Sequence, residues 1–232
     1  MKRLSLILIL LLVAFGTQAR QAGKSQVSSI LSLSNDANGC IQDQTTSGAA
    51  ALILNGDLVS GGKCKFSSAQ QISIEGAGNN SGVVAAIIGK GADGKDEREN
   101  LTLSNAGTAK SVRYYIQIIS INVDGAVTGN IEGGPLSTNG AVSASLVPDL
   151  SGYDSVISLA VGVTGTLTYT IESTLSNTAS SKEQLWFGVA DLEALTANNK
   201  GNLVVPIAGI RARISSYTSG TLELTILQGR GQ

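Results

Sequence analysis

At 232 residues the chain has room for one large or two small domains, and β-domains of about 100 residues make two the better fit. A formal net charge of −1 and the absence of histidine argue against a genome-binding protein and against the side chain most used for acid–base chemistry near neutral pH. Aromatic residues are only 4%, so Val, Ile, Leu and Ala must supply the core, and the many glycines point to sheets with many turns.

Taken in chain order, Lys2 and Arg3 precede the apolar run LSLILILLLVAF, and small residues end at Ala19. This is the layout of a secretory signal over residues 1–19. The run is shorter than the roughly 20 residues a membrane span needs. An uncleaved anchor and a segment buried in an assembly are the two other readings, and after signal removal no stable membrane association is expected. Residues 20–43 are polar, lack a sustained apolar period and read as an arm or linker, or a loosely attached first strand. Cys40 and Cys64 are too far apart for a CxxC redox site and have no histidine with which to share a metal. They form a disulfide if the chain is exported and stay two thiols in a reducing compartment.

Residues 44–135 read as a first β-sandwich domain. ALILNGDLV predicts two short strands around an Asn55-Gly56 turn. Ile72 and Ile74 alternate inward. The apolar run from Val83 to Gly89, the Asp93-Gly94 turn and the return through Leu101 and Leu103 predict a second hairpin. Gly89, Gly91 and Gly94 match G-x-G-x-x-G, but a charged, alternating stretch follows where a dinucleotide site requires a helix. Asp93, Asp96 and Glu97 do not have the spacing of a calcium loop. From Val112 to Val123 the apolar alternation passes from even to odd positions, which is what a β-bulge produces. Gly125, Gly129, Gly133, Gly134 and Pro135 then punctuate the domain's end.

Residues 136–232 read as a second β-sandwich domain. Ile157, Leu159, Val161 and Val163 share one face, as do Leu167, Tyr169 and Ile171, then Ile210, Ala212 and Ile214, then Leu222, Leu224 and Ile226. Only residues 191–200 have room for a helical turn. Trp186 and Phe187 are the densest aromatic point, and on a strand they face opposite ways. Arg211 and Arg213 share the face opposite Ile210, Ala212 and Ile214, as solvated surface residues or as an inter-subunit or ligand contact. All four residues are interface candidates. The fold class is therefore all-β, with two consecutive antiparallel sandwiches, Ig-like or jelly-roll-like, after an apolar segment.

In residues 44–134 the turn LNGDLVSGG, the segment ISIEGAGNNSG, a strand ending at a D-G turn, and a Tyr114-Tyr115 strand leading to SINVDGAVTGNI follow one another in order. This run resembles a domain of structural proteins in tailed-bacteriophage virions. The order TYTIESTL, LWFGVADL and NLVVPIAGIRARISSYTSGTLELTILQ resembles the C-terminal domain that often follows it, and more loosely the jelly rolls of carbohydrate-binding and discoidin-like modules. The resemblance implies a non-enzymatic virion component that assembles symmetrically with its own copies and with other virion proteins on the head, neck or tail. It implies no catalytic residue, cofactor, metal or nucleic-acid partner. The rival reading is an exported β-sandwich binding module, periplasmic or secreted and carbohydrate-directed.

Overall fold

The computed structural model describes residues 24–138, 140–149, 153–178, 184–204 and 206–230. The signal-like segment of residues 1–19 lies outside the described residues. The strands are β1 (Lys24–Ile30), β2 (Ile41–Thr46), β3 (Ala50–Leu52), β4 (Val59–Ser60), β5 (Lys63–Gln70), β6 (Ile72–Gly76), β7 (Val84–Lys90) and β8 (Asp96–Thr102). They continue with β9 (Thr108–Lys110), β10 (Tyr115–Val123), β11 (Val127–Pro135), β12 (Ala141–Val142), β13 (Tyr153–Thr174), β14 (Phe187–Gly188), β15 (Asn199–Val204) and β16 (Gly209–Arg230). All named pairings are antiparallel, and no helix occurs among the described residues. The protein is all-β, of the sandwich type.

The first core lies between two sheets. One is four-stranded, in the order β2-β11-β6-β9, and contributes Ile41, Ile72, Ile74 and Ile131. The other is the part of a 12-stranded sheet that runs β5-β10-β7-β8, and it contributes Phe66, Ile87, Tyr115, Ile118 and Ile121. A buried disulfide joins Cys40, just ahead of β2, to Cys64 on β5, with 5.3 Å between the Cα atoms. It therefore ties the two sheets together. The β7–β8 hairpin forms as read, with Lys90 opposite Asp96. The bulge on β10 is present, with a register shift against β7 between Ile118 and Ser120, but the even-position phase before it holds only at Ile118. Tyr115 rather than Tyr114 is buried, because a second irregularity against β5 lies between Tyr115 and Gln117.

The second core is built differently. β13 and β16 are each 22 residues long and pair from Tyr153–Arg230 to Thr174–Gly209. The two apolar groups read on each of them therefore sit on single long strands, and all face one core. That requires the ribbon to bend. The bend falls where Gly165 pairs with Gly220, with φ of +77° and +104°. A Cβ on Gly220 would lie 1.7 Å from the Thr164 carbonyl oxygen, so only glycine allows the chains to approach this closely. β1 and β15 flank the outer half of the ribbon, and β12 and β14 flank the inner half.

β12 is the seam. It pairs with β16 on one side and with the end of β5 on the other, so one sheet passes through both cores. The connector after β1 seals the join from the other face. Gln70 is fully buried, accepts from the Ser34 amide at 2.9 Å and donates to the Ser34 carbonyl at 3.0 Å.

Four local expectations are corrected. Asn55-Gly56 is not a hairpin: β3 pairs with β10 and β4 with β5, and the Asn55 and Gly56 amides both donate to the Cys40 carbonyl. The two-residue hairpin is Gly61-Gly62, where both φ values are positive as a primed turn demands. Of the two readings of the N-terminal segment the first strand holds, but it is not loosely attached: residues 24–30 have seven partners on β16 and a buried Ile30. Val112 is 72% exposed, because β10 begins only at Tyr115. Residues 191–200 hold no helical turn: Asp191 and Ala194 adopt left-handed φ, Leu192 is buried, and Asn199 already belongs to β15.

Candidate functional site

Where the two cores meet, the outer face of the shared sheet carries a groove of about 800 Å³. Its floor is Glu172 on β13, Arg211 and Arg213 on β16, Val142 on β12 and Gln71 just past β5. One wall is the loop between β7 and β8, and the other is the segment that leads through Trp186 into β14. The loop is pinned across the seam, since both carboxylate oxygens of Asp93 accept from Ser145, one from its amide and one from its hydroxyl, each at 2.8 Å. Lys90–Asp96 and Arg113–Glu97 ion pairs stiffen the same wall.

The alternation that puts Ile210, Ala212 and Ile214 into the core turns Arg211 and Arg213 onto this floor. Glu172 stands opposite Arg211 in the β13–β16 register. Its two oxygens receive the Nε hydrogens of both arginines, at 2.8 Å from Arg211 and 2.5 Å from Arg213. The Glu172 side chain is only 9% exposed, against 18% for Arg211 and 33% for Arg213. The arginines are thus held in place rather than freely solvated. Arg211 also lies 4.2 Å from the centre of the Trp186 ring and 5.8 Å from that of Tyr114, within cation–π range.

Electrostatics follow from this packing. Burial raises the Tyr114 phenol above its ordinary pKa, although Arg213 and Arg211 pull the other way. For Arg213, burial works against the cation, and the hydrogen bond and charge of Glu172 more than offset it, so its pKa lies above the usual arginine value. The neighbouring Tyr115 is pushed well above the tyrosine range by burial, with Glu99 adding to the shift. Two guanidinium groups share the one carboxylate of the floor, and the Glu193 carboxylate adds a weaker electrostatic attraction for Arg213.

Three of the four interface candidates, Trp186, Arg211 and Arg213, converge here. Phe187 does not: it is 60% exposed on the short edge strand β14 and turned away from the groove. The sequence reading missed Glu172, Tyr114 and the Asp93 clasp. Glu172 was visible as the one charged residue in TYTIEST, but its partner required the β13–β16 register. Among the described residues no group of three or more potential metal ligands gathers, and Asp93 is spent on Ser145. Comparison with family models, with curated proteins and with solved structures finds no match in any of the three.

Proposed function

We propose that the protein is a non-enzymatic structural component of a tailed-phage-like virion, acting by symmetric assembly with its own copies and with other virion proteins. The observation that carries this reading is the seam at β12. It makes one sheet of both cores, so surfaces on the two lobes stand at a fixed distance and angle. Repeated head-to-tail contacts close into a ring only if each subunit holds its two contact surfaces rigidly. The resemblance of residues 44–134 to phage structural domains supports the same reading. Its quoted turns fall at the Gly61-Gly62 hairpin, at the β7–β8 loop and at the Asp124 turn, where the Asp124 carboxylate accepts from the Val84 amide at 2.7 Å.

The test is particle association. Virions purified on a density gradient from the chain's source should contain it in fixed ratio to the capsid subunit, as measured by mass spectrometry. A chain found only outside particle fractions, and monomeric by sedimentation, would sink this reading.

A further inference from the structure

We infer that the groove over the seam is a binding site for a carboxylate-bearing saccharide. Its volume, about 800 Å³, falls within the range of roughly 300–1,000 Å³ common for small-ligand sites. Flat, broad contact is the rule between protein surfaces, and a concavity of this size suits a ligand of a few rings. The side-chain amides of Gln71 and Gln184 line it, each with its nitrogen donated to a backbone carbonyl and its oxygen left as an acceptor among the described residues. They stand beside the rings of Tyr114 and Trp186, one face of Trp186 being covered by Arg211. That combination matches a hydroxylated ring with one apolar face and does not match an apolar molecule.

The cationic floor specifies the charge. Arg211 and Arg213 both spend Nε on Glu172, and among the described residues their η nitrogens make no hydrogen bond. Two preset donor forks that share a single hydrogen-bonded carboxylate, with the Glu193 carboxylate acting on Arg213 from outside the groove lining, are an arrangement for a carboxylate. The carboxylate meets them without ordering cost, because Glu172 and the two rings already fix the Arg211 guanidinium. A peptide is the poorer occupant. Every strand in the floor is paired on both sides there, β13 with β14 and β16, β16 with β13 and β12, β12 with β16 and β5. Among the described strands of the floor no free edge remains for an extended chain to join, and the edge at β14 is only two residues long. This inference does not depend on the virion reading, and it stands or falls by binding alone.

Trp186 is the chain's one tryptophan, so its fluorescence reports groove occupancy directly. The full chain is titrated with trigalacturonate, with the neutral maltotriose and with sodium sulfate, by calorimetry and by tryptophan emission. Trigalacturonate should bind with a change in emission, and maltotriose should bind at least about tenfold more weakly, as loss of one charged hydrogen-bonding partner implies. Arg213→Gln should weaken trigalacturonate about tenfold by the same reasoning, with Arg213→Lys retaining part of the affinity. If Arg213→Gln does not fold, Lys95→Gln, on the groove wall, is read in its place and should weaken binding severalfold. The inference is overturned by absence of trigalacturonate binding, by equal affinity for maltotriose or for sulfate, by heat of binding without a tryptophan response, or by affinity unchanged in the substituted protein.

Discussion

The two cores solve the same problem by different means. Residues 40–131 enclose their core with many short strands in two separate sheets, and a covalent bond holds those sheets together. The second core, from residues 141–226 with Ile30 and Leu33 of the N-terminal segment, is wrapped by one bent ribbon whose halves are continuous in the backbone. Separate sheets can slide or part, so a staple between them adds stability. A ribbon that folds back on itself needs no staple, but it depends on one point where two backbones nearly touch. The first core is thus sensitive to redox state, and the second to a single side chain at the bend.

The largest effect should come from the bend. Gly220→Val places a branched side chain at φ +104° and against the Thr164 carbonyl. The cost should exceed about 4 kcal/mol, at the extreme of single substitutions, and appear as insoluble protein or a collapsed urea midpoint. Gly162→Ala, on the same ribbon with open space around it, should change stability by no more than about 1 kcal/mol. A folded Gly220→Val protein would mean that the bend does not close the second core.

Next in size is the staple. Cys40→Ala with Cys64→Ala, or reduction of the native protein, should cost about 3 kcal/mol in the chain-entropy account. Calorimetry with and without reductant measures it. The loss should be centred on the first core, so hydrogen exchange should rise on β2, β6 and β11 before it rises on β13 and β16. Equal acceleration in both would show that β12 couples the two cores into one unfolding unit.

The smallest effect concerns a turn within the first core. Gly61→Ala meets no neighbouring atom but must hold φ near +62°. A left-handed conformation costs a non-glycine residue about 1 kcal/mol, which lowers the melting temperature by about 2–4 °C in a chain of this size. A larger fall would indicate that the β4–β5 hairpin helps align Cys64 with Cys40.

Much of the fold was legible because strand alternation is a local property. The inward positions from Ile157 through Ile226, the β7–β8 hairpin and the β10 bulge after Ile118 follow from which residues repeat every second position, whereas the burial of Tyr115 in place of Tyr114 does not. The misreadings have a common cause. Asn55-Gly56 has the composition of a hairpin turn, yet Cys40 captures its amides from 15 residues away in the chain. Residues 24–30 read equally as an arm or as a loosely attached strand, and β16 makes them a firmly held one by supplying seven partners from the far end of the sequence. In both places a long-range hydrogen bond outweighed the local preference.

The candidate site divides along the same line. By itself the sequence determined that Arg211 and Arg213 share a face opposite the core, that Trp186 and Phe187 point apart, and that Cys40 and Cys64 could pair, because these follow from a period of two and from composition. Only the tertiary structure decided that both arginines meet one buried carboxylate, that Trp186 rather than Phe187 turns toward them, and that a loop some 120 residues earlier in the chain, clasped through Asp93 and Ser145, walls the groove they line. Those neighbours are set by the register of β13 on β16 and by the two-residue seam at β12. Register between distant strands is chosen by the packing of whole sheets, which no local stretch of residues encodes.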